Sequence, residues 1–360
     1  MPIETQPQLK QTVARRLDRP GTVSPPRSQR IPALDFTKGV LVLIMVLYHW
    51  INYFIGLQWK YYPYLRFLTP SFIFITGFMI SHVYLSKYSA VDPRLWKRLV
   101  TRGSKLMAVF VILNLARNLV VPLLGTGSAA QSLPSLENLF TIFVSGNLPV
   151  GGAKIVTFPI LVPISYLLMI SGVLMVPFRR YKYTFHIVCL LLLLSNAIQT
   201  AFGTRSYNLE FITIGTMGVL SGFTPITKLN SVIHRTYLIA FAYTCYLTAI
   251  TIWKVPFPLL VIGVVLNLMI IYAVGVGGGE KGVVNYEVIL LGKYSLLGYI
   301  SQVAILQVLS ASFHRLDLGF ASLPVSFTAA FVLTIVSVEL VDRARTRFAS
   351  IDQLYKAVFA

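Results

Sequence analysis

The feature that most constrains the fold is a succession of long apolar stretches separated by short polar connections. Ten can be drawn, at residues 34–57, 65–86, 104–124, 157–177, 184–202, 209–223, 236–253, 257–274, 289–311 and 321–341. A helix needs about 20 residues to cross the ~30 Å hydrocarbon layer of a membrane. Because 56% of the chain is hydrophobic and only 12% is charged, we expect an all-α polytopic membrane protein with about ten transmembrane helices.

The positive charges are unevenly distributed between these connections. The formal net charge is +19, and most of the 31 Lys and Arg residues fall on one side if every stretch crosses the membrane. Basic residues accumulate in cytoplasmic connections, so we expect both termini in the cytoplasm and an integral protein of the bacterial inner (plasma) membrane. This topology and the attraction of anionic membrane lipids explain the charge, and no nucleic-acid partner is expected.

Three regions follow from this arrangement. Residues 1–30 are polar, basic and rich in proline, and they lack the apolar segment of a signal peptide, so we predict a disordered cytoplasmic tail. Residues 31–342 form the membrane domain, and residues 343–360 form a cytoplasmic C-terminal tail. Neither cysteine belongs to a metal-ligand spacing, so no metal is expected. The sequence does not indicate an oligomeric state.

The first apolar stretch carries ionisable residues at defined depths. Lys38 and His49 are eleven residues apart, which corresponds to about 16 Å of rise and three turns plus ~20°. Their side chains and that of Asn52 therefore share one helix face. Ionisable residues inside a membrane often mark a functional path, and histidine exchanges protons near neutral pH. We predict that His49 is a catalytic base, with a packing histidine as the alternative; Asp35 is expected to pair with a basic residue.

Basic residues also cluster just before and within the start of the third stretch. They recur at helical spacing and comprise Arg94, Lys97, Arg98, Arg102 and Lys105. Such a cluster binds phosphate groups through charge-assisted hydrogen bonds, and contact with lipid headgroups would give the same pattern.

Two further polar residues fall at unusual depths. Arg117 is expected in the middle of the third stretch, where a guanidinium must face the protein interior or a wet cavity. It is predicted either to bind a ligand or to pair with a residue such as Glu210. Glu210 is expected at the outer end of the sixth stretch, where it is also a candidate for contact with an acceptor.

Three short segments resemble a known family. PALDFTKGVLVLIMVLYHW, residues 32–50, resembles the first-span signature of the transmembrane acyltransferase superfamily, which includes acyltransferase-3, glucan-modifying and heparan-glucosaminide N-acetyltransferase membrane proteins. In this resemblance Lys38 and His49 match the basic residue and the histidine of the acyltransferase-3 pattern. FIFITGFMI at 72–80 and LGKYSLLGYISQ at 291–302 are similar to the second-span and late-span elements of that family.

Arg102 and Lys105 resemble the Arg-x-x-Arg element of the same family. The chain departs from the pattern at three positions. Lysine replaces arginine at Lys38 and Lys105, which keeps the charge and loses the planar fork of the guanidinium. Gln302 stands where histidine is common, so no second catalytic histidine is expected there.

The resemblance implies transfer of an acyl group, acetyl or succinyl, from cytoplasmic acyl-CoA to a hydroxyl of an extracytoplasmic glycan or glycolipid. Acetyl-CoA is the expected donor, and His49 is expected to act as the general base or, alternatively, to carry the acyl group. The residues expected to bind the phosphates of CoA are Lys38, Arg98, Arg102 and Lys105. The other polar residues assigned either substrate-binding or structural roles are Asn52, Arg117, Glu210 and Gln302. A transporter or flippase for a glycan or lipid-linked precursor is the alternative function.

Overall fold

The computed structural model describes residues 31–56, 58–85, 93–123, 140–147, 157–233, 235–253, 255–278, 283–316 and 322–359. Within these residues the regular secondary structure is helical, and no strand is present. The predicted tail at 1–30 and most of the long connection at 125–156 lie outside the described residues. Helices suit a lipid environment because each satisfies its own backbone hydrogen bonds.

The α-helices follow one another with short connections. In chain order they are α1 Pro32–Trp50, α2 Gln58–Leu65, α3 Leu68–Met79, α4 Pro93–Leu123, α5 Leu161–Phe178, α6 Thr184–Ala201, α7 Tyr207–Ser221, α8 Ile226–Ile233, α9 Thr236–Ile252, α10 Phe257–Gly278, α11 Val283–Lys293, α12 Ser295–Leu316, α13 Ser322–Arg347 and α14 Ala349–Phe359. Three π-helical segments accompany them: π1 Ile51–Ile55 and π2 Ile80–Tyr84, which extend α1 and α3, and π3 Thr141–Ser145. Such wider turns occur frequently at functional sites.

Eight helical segments in the described part of the chain are long and apolar enough to cross a membrane. They are Pro32–Ile55, Tyr62–Tyr84, Arg94–Arg117, Leu161–Phe178, Thr184–Ala201, Phe257–Gly278, Ser295–Phe313 and Ser322–Arg347. The pair α7 and α8, bent by 101°, gives a ninth if it counts as one span, and α9 is a shorter apolar helix. The prediction of an all-α polytopic membrane protein is confirmed.

Some element boundaries differ from the predicted ones. The third stretch was expected from residue 104, but α4 begins at Pro93, because Leu95 and Leu99 are buried between the basic residues and extend the apolar face. The ninth stretch, predicted at 289–311, is divided at Tyr294 into α11 and α12. α13 continues to Arg347 and α14 follows it, so the predicted boundary at 342 lies inside a helix.

The helices pack unusually closely at glycines. A Cβ atom built on Gly39 of α1 would lie 1.9 Å from the carbonyl oxygen of Val288 in α11, and one on Gly292 would lie 1.6 Å from that of Asp35. A Cβ on Gly77 of α3 would lie 1.9 Å from a backbone oxygen of α7. Small residues let helix backbones meet directly in membranes, where apolar burial gives little drive for association. These glycines, all within the three segments singled out above, therefore serve helix packing.

The core lies where α1, α3, α5, α7, α10 and α12 meet. Leu41, Ile73 and Ile214 are completely buried there. In contrast, Leu190 and Leu194 of α6 are exposed. Large apolar side chains on an outer helix face are what a lipid-facing surface requires.

Candidate active site

A cavity of about 270 Å³ lies between α1, α3, α4, α5 and α12. Its charged and polar lining includes Lys38, Arg102 and Tyr84, and most of the remaining lining is apolar, with Tyr299 also contributing. The Arg102 guanidinium donates a hydrogen bond to the Tyr84 hydroxyl, which belongs to π2. We call this space, defined by these four residues, the Lys38 cavity.

His49 lies beside the Lys38 cavity and does not line it. The centroid of its imidazole is 6.3 Å from the ring of Tyr299, which does line the cavity. Its side chain is half-buried. Because α1 and π1 form one span of 24 residues, helical rise places His49 about 26 Å from Pro32 and about 9 Å from Ile55. The imidazole therefore lies about halfway between the middle of the span and its far end.

Tyr299 is held against a strained residue. Its ring meets that of Phe158 edge to face, with 5.5 Å between centroids, and Phe158 has a φ of 62°. The Asn114 side chain donates a hydrogen bond to the Thr157 carbonyl oxygen at 2.9 Å and accepts one from the Thr157 amide at 2.8 Å. A left-handed conformation at an aromatic residue costs roughly 1–3 kcal/mol and persists only where the surroundings fix it. The two hydrogen bonds between Asn114 and Thr157 fix the backbone next to Phe158 and provide such a constraint beside the candidate site.

Only two of the four predicted phosphate-binding residues reach the Lys38 cavity. Lys38 and Arg102 line it, whereas Arg98, which is exposed, and Lys105 do not. Lys38 forms an ion pair with Asp35 at 2.5 Å, which confirms the predicted basic partner of Asp35 and partly neutralises Lys38. Within the described residues Arg102 has no carboxylate partner, so it is the stronger candidate for contact with an anion.

Glu210, suggested as one possible partner of Arg117, pairs with Arg205. Arg117 lies in the second half of α4, which runs from Pro93 to Leu123. It interacts electrostatically with Tyr53 of π1. The Glu210 carboxylate instead accepts hydrogen bonds from Arg205 at 2.6 and 3.3 Å, because the two residues are neighbours across the start of α7. Burial alone lowers the pKa of Arg205, but the hydrogen bonds and charge of Glu210 raise it overall.

A second cavity, of about 60 Å³, is lined by Tyr48, the chain neighbour of His49. Its lining includes Tyr48, Tyr62, Arg66, Tyr207 and Glu210, and we call this space the Arg66 pocket. The ring of Tyr48 is 6.2 Å from that of Tyr62. The same Tyr48 ring is 5.2 Å from the imidazole of its chain neighbour. The candidate base is therefore flanked by one aromatic residue from each cavity.

Two predicted polar residues lie near this centre. Asn52 is half-buried in π1, one turn after His49. Gln302 follows Tyr299 by one turn of α12 and is completely buried. Among the described residues neither polar atom of the Gln302 amide has a hydrogen-bond partner. Buried polar groups are nearly always bonded, so an unbonded buried amide is an unusual feature beside Tyr299.

Sequence reasoning missed the aromatic residues of the site. Tyr48 lies inside segment 32–50 and Tyr299 inside segment 291–302, both of which resemble the acyltransferase family. Their position in these segments could have identified the two tyrosines as candidate site residues. Phe158 had no such signal, because its backbone conformation depends on contacts distant in sequence. No group of three or more His, Cys, Asp or Glu residues that could hold a metal ion occurs in the described ranges.

Residues 30–125 match a family model described as the catalytic domain of heparan-alpha-glucosaminide N-acetyltransferase. The match supports a membrane acetyltransferase. It covers about a quarter of the chain and contains α1, α3 and α4 with every predicted site residue except Glu210 and Gln302. Comparison with curated proteins and with solved structures gives no match. The remaining parts of both cavities, from α5 onward, lie outside the matched range.

Proposed function

We propose that this protein transfers an acetyl group from acetyl-CoA, bound on the cytoplasmic side, to a glycan or glycolipid on the opposite side of the membrane. The observation that carries the proposal is the position of His49 between Tyr299 of the Lys38 cavity and Tyr48 of the Arg66 pocket. A base in ring contact with a lining residue of each of two cavities is suited to a reaction between two substrates. The distribution of basic residues favours a cytoplasmic Lys38 cavity.

The donor is bound by the Lys38 cavity and the first turns of α4. Arg102 presents a planar guanidinium suited to phosphate oxygens, with Lys38 beside it. The volume of about 270 Å³ is just below the usual range for small-molecule sites, about 300–1,000 Å³. It therefore suits the pantetheine arm, while the nucleotide lies outside against exposed basic residues such as Arg98.

His49 acts as the base that activates the acceptor. It takes the proton from an acceptor O–H or N–H as the acceptor atom attacks the thioester carbonyl carbon. The carbon–sulfur bond breaks, and CoA leaves as a thiolate that receives the proton from His49. A hydroxyl acceptor fits the acyltransferase-3 resemblance, and an amine fits the glucosaminide in the name of the matched family.

Acetyl transfer by purified protein in lipid nanodiscs tests the proposal. With labelled acetyl-CoA and a glycan acceptor, His49→Ala should lower the rate by about 10²–10⁴-fold, the usual contribution of a general base. His186→Ala is the matched control, since His186 is exposed at the start of α6, and should keep the wild-type rate. Arg102→Ala should raise the KM for acetyl-CoA roughly tenfold or more. Full activity of His49→Ala would refute the assignment.

The same material separates direct transfer from an acyl-His intermediate. Labelled acetyl-CoA is supplied without acceptor, and the protein is denatured and examined for covalent label. The general-base mechanism predicts no label on His49, whereas an intermediate would leave label that disappears in His49→Ala.

A further inference from the structure

The Arg66 pocket contains one positive charge that the protein does not neutralise. Of its charged lining residues, Glu210 is buried and engaged by both hydrogen bonds from Arg205, so these two charges cancel. Tyr48, Tyr62 and Tyr207 are neutral phenols. In the part of the chain that the structure describes, Arg66 has no acidic partner. Counting Arg66, Glu210 and the Arg205 that pairs with Glu210, the net charge of the described groups at the pocket is therefore +1.

Arg66 is also positioned by the fold. Its Nη1 atom donates a hydrogen bond to the Val255 carbonyl oxygen at 2.8 Å, which ties the guanidinium to the start of α10. Its other N–H groups are not used by any described residue, and the group lies within electrostatic range of Tyr62. A guanidinium fixed on one side presents its remaining donors in a planar fork that matches a carboxylate or a phosphate.

The size of the pocket limits what it can accept. Its volume of about 60 Å³ is well below the ~300–1,000 Å³ of usual small-molecule sites. This space suits a single charged substituent better than a whole sugar ring. The aromatic rings of Tyr62 and Tyr207 at its edge provide faces on which the attached ring can rest.

We propose that the Arg66 pocket recognises an anionic substituent, a carboxylate or a phosphate, on the acceptor sugar. That the ligand is an acceptor sugar rests on the proposed function. That it carries a negative charge is argued from the charge and geometry of the pocket alone. The pocket thus selects acidic acceptors and places a neighbouring hydroxyl or amine toward His49.

Binding can be measured without acetyl-CoA, using the full chain in phosphatidylcholine nanodiscs. The probes are methyl glucuronide, methyl glucoside and methyl glucoside 6-phosphate, which differ only in the substituent on carbon 5 of the ring. The wild type should bind at least one anionic probe about tenfold or more tightly than the neutral one, the effect of one hydrogen-bonded charge. Arg66→Gln should remove this preference. Arg180→Gln, at an exposed position after α5, should retain it.

Each alternative outcome overturns the proposal. Equal affinity for the neutral and anionic probes, a preference that survives in Arg66→Gln, or no saturable binding of any probe would each do so. Loss of glucuronide binding when anionic lipid is added would assign Arg66 to lipid headgroups instead. Absence of acetyl transfer to every acceptor would defeat the proposed function and leave the measured anion preference intact, so the two failures are distinguishable.

Discussion

Gly292→Ala tests the backbone contact between α1 and α11. The new Cβ would lie 1.6 Å from the Asp35 carbonyl oxygen, whereas ordinary contacts begin at 3.4 Å. The two helices would have to separate by most of the difference, because both groups in contact belong to backbone. Overpacking of a rigid core costs typically 1–3 kcal/mol, and we expect the upper end, about 3 kcal/mol, which changes the unfolding equilibrium more than 100-fold.

The loss is measured by unfolding in detergent, and donor affinity gives a second readout. Displacement at Asp35 also moves its ion-pair partner Lys38, so the KM for acetyl-CoA should rise in any Gly292→Ala protein that folds. Gly277→Ala is the matched control, because a Cβ there meets nothing within 4 Å and should leave stability unchanged. A Gly292→Ala protein as stable as the wild type would show that the contact between α1 and α11 is not as tight as described.

Two further predictions concern buried and surface polar groups. Gln302→Met should stabilise the fold by about 1–3 kcal/mol, because it removes an unbonded buried amide, and should still lower acetyl transfer; unchanged activity would exclude a substrate contact. The hydrogen bonds of Lys356 and Arg345 lower the pKa of Asp352. Their contribution is therefore present above the unfolded pKa of about 3.9 and is lost as pH falls through the lower folded value. Hydrogen exchange should show α14 better protected at pH 5–8 than in stronger acid, and Asp352→Asn should remove that pH dependence; the same pH dependence in the variant would contradict the argument.

The fold class followed from the sequence because lipid leaves few choices. Apolar stretches of sufficient length must be helical, and each of the ten predicted stretches is mainly helical in its described part. Helix ends were less predictable where charged and apolar residues alternate. In α4, Leu95 and Leu99 are buried while Arg94 and Arg98 are exposed. The sequence prediction therefore assigned this amphipathic first part of the helix to a connection.

The candidate site was predictable where it depends on one helix. The spacing of Lys38 and His49 requires only helical geometry, and the structure places both beside the space that Tyr299 lines. Contacts between distant segments were not predictable in this way. Glu210 was one suggested partner of Arg117, but Arg205, five residues before it, forms the ion pair. The strain at Phe158 likewise arises from residues that only the tertiary structure brings together.

The glycine contacts bear on how any reaction across this membrane must proceed. Helices that touch backbone to backbone at Gly39, Gly77 and Gly292 cannot slide past one another without breaking contact. A carrier that exposes its cargo alternately to each side needs such sliding or rocking. Under the proposed function, a rigid frame would bring both reactants to a stationary imidazole, and only the acetyl group would change sides.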